Sequence, residues 1–356
     1  MPSPSLLVAA LAAILPSISA LNITVYQPDV PLVPSPLPPS HAQSDGDEII
    51  SLFQTLGRNT SWKSIANISF EGDTYEPEGM VRLVSGDVER FIVSAGEYTA
   101  PTVHYNETRN GTDRSPGAGF AHLVVFDGNG SRIADATITP DGALEYHNGG
   151  IDWDGQHIWC TIAQYRPNTT AHVARVDPTT MDPRTMLHIR DHQGGIVHDV
   201  KTNNLYTLNW GSRNGSTFNL NRLPYNAANA GVFTQPQSVA RNPSYFVDYQ
   251  DCKFMGHSRY YHWRPIMLCS GVWNAGTFNL GGIALVDADT MVPLAEVPVQ
   301  MTSFTGYPVT QNPVEVAVVD GKLRLYLMPD QHNSTLFVYE AEPGSPFQFG
   351  GTGGAF

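Results

Sequence analysis

Two histidines sit in copies of one pattern. His147-Asn148-Gly149-Gly150-Ile151-Asp152-Trp153-Asp154 and His192-Gln193-Gly194-Gly195-Ile196-Val197-His198-Asp199 both read His-x-Gly-Gly-Ile-x-x-Asp, and they begin 45 residues apart. Imidazole gains or loses a proton near neutral pH, so His147 and His192 are the candidate proton carriers. Aligning three further segment starts with these copies brings Glu78, Asp251 and Glu315 level with Gly149 and Gly194. Three carboxylates and two imidazoles around one centre would repel or desolvate one another without compensation. A shared proton or a bound divalent cation would supply it. Oxygen-rich sites suit a hard ion such as Ca2+, and histidine with carboxylate also suits Zn2+ or Mn2+. Glu78, Asp251 and Glu315 are therefore the expected metal ligands, with Ca2+ the first choice of ion. His198 stands at the place of Trp153 in the repeat and reads as a core histidine.

Residues so far apart meet only if repeated units close on an axis. The five starts are spaced by roughly 45 to 70 residues, a blade-sized period. Short β-branched and aromatic runs alternate with Gly, Asn, Asp and Pro turns from Trp62 onward. Val176 to Met181 and Val286 to Met291 resemble each other and read as equivalent hairpin turns. The expected fold is all-β: a five-bladed β-propeller, with six blades as the runner-up. The run Trp62 to Phe70 supplies an N-terminal strand that closes the last blade and leaves no open edge. A sixth start would have to lie between Tyr98 and Ala121, where Pro, Gly and two glycosylation sequons read instead as a loop. A β-sandwich would leave the repeated His-x-Gly-Gly-Ile segments unexplained.

In a propeller, the ends of second strands return to the rim where first strands begin. That adds Tyr98, then Gln164, Tyr165 and Arg166, then Trp210 and Arg213, then Trp273, then His332 as candidate substrate-binding residues. Aromatic rings with amides and guanidinium groups suit a small polar organic ligand or a glycan. Arg166 and Arg213 could hold a carboxylate or lactone oxygen.

The ends of the chain and its composition place it outside the cell. Residues 1–20 carry an apolar run, Leu6 to Leu15, then Pro16 and small residues, as a secretory signal does. The run is too short to span a bilayer. Sequons occur at Asn22, Asn59, Asn67, Asn106, Asn110, Asn129, Asn168, Asn214 and Asn333, and such sites belong on solvent-facing loops of exported proteins. Cys252 and Cys269 flank an expected hairpin and fit a cross-strand disulfide, while Cys160 reads as a buried thiol. A net charge of −13 without a basic run argues against nucleic acid and anionic membrane as partners. Residues 21–44 are Pro-rich and read as a linker, residues 45–61 as a short helix (Asp47 to Leu56) and turn, residues 62–342 as the propeller, and residues 343–356 as a flexible tail.

The segments Glu76 to Met80, His147 to Gly155, Gln164 to Asn168, His192 to Asp199 and Asn209 to Arg213 resemble those of an uncharacterised family of secreted or periplasmic propeller-like proteins. That resemblance implies the fold and no activity. Glu78-Gly79 is also similar to the Glu-Gly pair of gluconolactonase- and strictosidine-synthase-like propellers, where the Glu binds a divalent metal in a six-bladed ring. The expected activity is metal-assisted hydrolysis or isomerisation of a small lactone, ester or sugar-like compound. In a metal-free variant, two carboxylates act as acid and base on a glycosidic bond, by analogy with five-bladed glycosidases. The alternatives are a non-catalytic propeller that binds a glycan or metabolite, and a purely structural glycoprotein.

Overall fold

Alternating apolar residues on short strands drive five antiparallel sheets to pack face to face around an axis. The computed structural model of the chain describes residues 22–342, except 58 and 245–247. The expected signal segment and C-terminal tail lie outside the described residues. The inner strands of the five blades are Glu76–Ser85, His147–Trp153, Gln193–Asp199, Asp248–Ser258 and Val314–Val319. Blades two to four each run outward in chain order as four-stranded meanders. In blade five the order from the axis ends on Ser61–Ser69, which pairs with Thr335–Glu342. The N-terminal strand thus closes the ring, as the sequence predicts, and the ring has five blades. The stretch that would have held a sixth blade forms a separate hairpin of His104–Arg109 and Thr112–Arg114.

One apolar cluster fills each gap between neighbouring blades. Val81, Leu83 and Ile92 meet Ile151, Ile158 and Cys160 between blades one and two. Trp159 and Val173 meet Ile196 and Leu205 between two and three, and Tyr206 and Leu208 meet Phe254 and Met267 between three and four. Ile266 and Leu268 meet Val316 and Leu325, and Phe91 and Val93 meet Tyr326 and Val338, in the last two gaps. Burying both faces of every sheet this way is what makes the ring rigid enough to aim side chains at its axis. Cys252 and Cys269 form the expected disulfide across adjacent strands of blade four. Cys160 is buried, and burial pushes its thiol far up, which makes it an inert packing group. The two repeated turns also match. Met181 and Met291 are both buried with left-handed φ near 60°, and each donates its N–H back to the carbonyl of Asp177 or Asp287.

Two N-terminal features depart from expectation. The helix spans Gly46–Phe53 and continues to Leu56 only as turns. Ile49, Ile50 and Phe53 are buried against blades four and five, so docking and not the apolar spacing sets its end. The Pro-rich stretch is no free linker. Asn22–Val25 adds a fifth, outermost strand to blade one, and Val33 enters the core. Prolines lack donors but keep acceptors: Arg90 donates to the Pro31 carbonyl at 3.1 Å and Trp153 to the Pro38 carbonyl at 3.1 Å.

Candidate functional site

The inner strands begin with irregular backbone, and that irregularity shapes the site. Pairing slips one residue between Pro77 and Gly79, between Gln193 and Gly195, and between Tyr249 and Asp251; in blade two it slips opposite Thr161, beside Gly149 and Gly150. Four bulges at one level flare the strand starts away from the axis and re-aim the residues they carry. The result is a cavity of about 360 Å3 at this rim, lined among others by Glu76, Glu78, His147, Tyr165, His192 and Trp210. Asn209, Gln250, Asn274, Asn279, Gln311 and Asn312 also line it.

Glu78 is the exposed residue of the first bulge in pairing terms, yet it is only 8% solvent-exposed. Among the described residues no donor is within hydrogen-bond reach of its carboxylate. Burial, with the charges of Glu76 and Asp251 added, pushes its pKa well above the carboxylate range. Glu76 accepts hydrogen bonds from Tyr98 and, at 2.6 Å, from Gln331. The Tyr98 hydroxyl also lies 3.2 Å from Nδ1 of His147. Ligand atoms of Glu76, Glu78 and His147 all lie within 4.8 Å of one another. His192 Nδ1 is 2.8 Å from the Gln164 carbonyl, an oxygen that can only accept, so Nδ1 carries the proton and Nε2 keeps its lone pair. The two imidazole rings are 5.6 Å apart, and Trp210 stands edge-on to His192 at 4.8 Å. Burial, reinforced by the neighbouring His192, lowers His147 to about 3; burial, opposed by the Gln164 carbonyl, lowers His192 to about 4. Both imidazoles are therefore neutral at pH 7.

The other expected residues divide. Tyr165 and Trp210 line the cavity, whereas Tyr98 does not line it and meets two lining residues, Glu76 and His147, through its hydroxyl. Gln164 acts through its backbone carbonyl, while its side chain is taken by Arg166 and Thr170. Arg166, Arg213, Trp273 and His332 do not line the cavity: Arg213 donates to the Gly211 and Ser244 carbonyls, and His332 pairs with Asp73. His198 is held by Asp154 and Asn203 at 2.8 and 3.1 Å beside Trp159, a satisfied core histidine.

The structure does not bring Glu78, Asp251 and Glu315 into one ligand sphere. Asp251, fully buried, accepts backbone N–H groups from Met80, Ile151 and Val314 and lies 2.8 Å from Lys253 Nζ through each oxygen. It ties blades one, two, four and five together and has no oxygen to spare. Glu315 lies beyond that plug, toward the other mouth, where it meets His41 at 3.0 Å and the Arg82 amide at 3.1 Å. The alignment misplaces it by three residues: Val314 donates its N–H to Asp251 as Met80 and Ile151 do, so the residue at the place of Glu78 and Gly149 is Asn312. Sequence reading missed Glu76, which lies two residues before Glu78 on the same inner strand. It also missed Arg114, whose guanidinium sits 4.8 Å from the Trp210 ring centre and 5.5 Å from that of Tyr165. Arg114 comes from the sequon-bearing hairpin, and no local pattern announces where that hairpin folds.

The far mouth is closed by the N-terminal segment. His41 bridges Asp45, at 2.7 Å, and Glu315. Burial alone would lower its pKa, but these two carboxylates more than reverse that and hold it at about 10. Such a contribution is complete below the unfolded value near 6.5 and is lost as pH rises through about 10. His41→Ala should thus cost about 2 kcal/mol at pH 6, with the gap from wild type closing by pH 10.5. Urea unfolding at the two pH values checks this.

The chain belongs to a family of unknown function (DUF6454), whose model matches residues 38–343. No curated protein matches it by sequence. Among solved structures, it is similar to an exo-β-1,3-galactanase from Phanerochaete chrysosporium crystallised with β-1,3-galactotriose, at 12% identity and a TM-score of 0.44. That match covers 80% of this chain and 64% of the galactanase, so the chain spans under two thirds of that relative. A GH43 β-xylosidase/α-arabinofuranosidase from a compost microbial metagenome matches at 10% identity and a TM-score of 0.39, over 79% of this chain and 95% of that one. The Dos1 propeller matches at 8% identity and a TM-score of 0.30, over 78% and 55%. The likeness to gluconolactonase- and strictosidine-synthase-like propellers is not reproduced.

Proposed function

We propose that the mature protein works outside the cell on a small sugar-like molecule, a lactone, ester or glycoside, which it hydrolyses in the rim cavity with metal assistance. The observation that carries this reading is one cavity on which a neutral imidazole with a free Nε2, two carboxylates, the aromatic rings of Tyr165 and Trp210 and six Asn and Gln residues converge. Amides and carboxylates suit hydroxyl-rich ligands, and Tyr165 and Trp210 offer faces for a sugar ring. His192 takes the proton of the attacking water, since Gln164 fixes its tautomer. Export is supported by the signal-like N-terminus, by the disulfide, and by the exposure of eight of the nine sequon asparagines, Asn214 being half-buried.

A panel of lactones, aryl esters and aryl glycosides tests the activity, with His192→Gln as the comparison. Turnover should fall about 100-fold in that variant while its melting temperature holds. Saturable binding of a sugar without turnover in either protein would favour the non-catalytic reading. Absence of both binding and turnover would end the proposal.

A further inference from the structure

We propose that Glu76, Glu78 and His147 bind one divalent cation at the base of the rim cavity, with Zn2+ or Mn2+ preferred over Ca2+. The inference deepens the reading of the cavity and rests on it for the ligand that completes the ion's shell. Three donor atoms within 4.8 Å of one another fit in a circle of radius about 2.8 Å (4.8 divided by √3). Metal–oxygen and metal–nitrogen bonds run from about 2.0 to 2.6 Å, so side-chain shifts of under about 1 Å would close the shell.

Glu78 supplies the independent observation. Its carboxylate is more than nine-tenths buried, lines the cavity and, among the described residues, has neither a hydrogen-bond donor nor a cationic partner. Buried carboxylates are paired or bind metals as a rule, and Glu78 has Glu76 for its neighbour. The other two ligands are already oriented from behind. Gln331 and Tyr98 hold Glu76, and Tyr98 holds Nδ1 of His147, which leaves Nε2 to coordinate. A nitrogen in the set moves the preference from Ca2+ toward Zn2+ or Mn2+. Lys253 does not compete, because its ammonium is spent on Asp251 and the Ile151 carbonyl.

Equilibrium dialysis of chelator-treated, full-length mature protein against Zn2+, Mn2+ and Ca2+ separately should give one equivalent of Zn2+ or Mn2+, with a raised melting temperature. Glu78→Gln and His147→Gln should each weaken affinity at least about 10-fold, as loss of a ligand or its support does. Glu315→Gln should leave it unchanged. Glu78→Gln removes an unpartnered buried charge, so it should melt no lower than wild type without metal. If it does unfold, Tyr98→Phe, which loosens two ligands at once, replaces it. Absence of stoichiometric binding, binding indifferent to Glu78 and His147, or a preference for Ca2+ would overturn the assignment. Cation binding without turnover of any panel compound would sink the hydrolytic reading and leave the metal site standing; turnover without any stoichiometric cation binding would sink the metal site and leave hydrolysis without metal assistance.

Discussion

Lys253→Met should destabilise the protein by about 4 kcal/mol, the range expected when one partner of a buried ion pair is removed. Lys253 is 1% exposed and donates to both oxygens of Asp251 and to the Ile151 carbonyl, at 2.6 Å. Asp251 in turn collects backbone amides from three other blades, so the pair is the hub of the ring. Burial already raises Asp251 to about 6, with Lys253 the chief opposing influence. Without the ammonium its pKa rises further. A carboxylate raised above its unfolded value of about 3.9 costs stability increasingly as pH climbs past that value. Urea midpoints should therefore show a larger gap from wild type at pH 8 than at pH 5. Lys253→Met with Asp251→Asn should recover part of the loss, because the amide keeps the shape and discards the charge. A single-variant loss below about 1 kcal/mol would show that the hub is not what holds the blades.

The ring was legible because its repeats carry their own punctuation. Two His-x-Gly-Gly-Ile copies, two Met-ended turns and a spare N-terminal strand are local signals, and each survives in the folded chain. The axis was less legible. Asp251, expected as a metal ligand, instead staples strands, a role that depends on Lys253 two residues later and on amides from strands 63 to 171 residues away. Nothing local separates a carboxylate that binds metal from one that staples strands. Glu315 failed for a different reason: blade five carries no His-x-Gly-Gly-Ile copy to fix the alignment, and the amide that meets Asp251 is that of Val314, which sets Asn312 three residues before Glu315 at the rim. The Pro-rich segment looked free because proline has no N–H to pair, yet its carbonyls are what Arg90 and Trp153 seek. Arg114 lies beyond sequence reading altogether, since a hairpin's lean over a neighbouring blade is set by tertiary packing.

Gly149→Ala should cost about 3 kcal/mol or more, although Gly149 is not itself a proposed ligand. A Cβ there would fall inside the contact distance of the Gly194 carbonyl, with the Gly194 carbonyl carbon 2.7 Å away. These are backbone atoms of the next inner strand, so no side chain can rotate aside. Gly79 shows the same constraint toward Ile151, whose amide nitrogen would lie 2.5 Å from an added Cβ. The glycines of the repeated motif are thus geometric. They let the strand starts crowd together at one level, and that crowding sets the two imidazoles 5.6 Å apart and the His147 ligand atom beside Glu76 and Glu78. Histidine is the chemical part of the motif and glycine its spacer, which is why they recur as a unit. Gly149→Ala should accordingly lower the melting temperature and weaken cation affinity together. Gly142→Ala, at a turn where an added Cβ meets nothing within 4 Å but φ is +74°, should lower the melting temperature alone. If Gly149→Ala instead melts like wild type, the strands are further apart than the motif requires, and the convergence of His147 with the two carboxylates loses its physical cause.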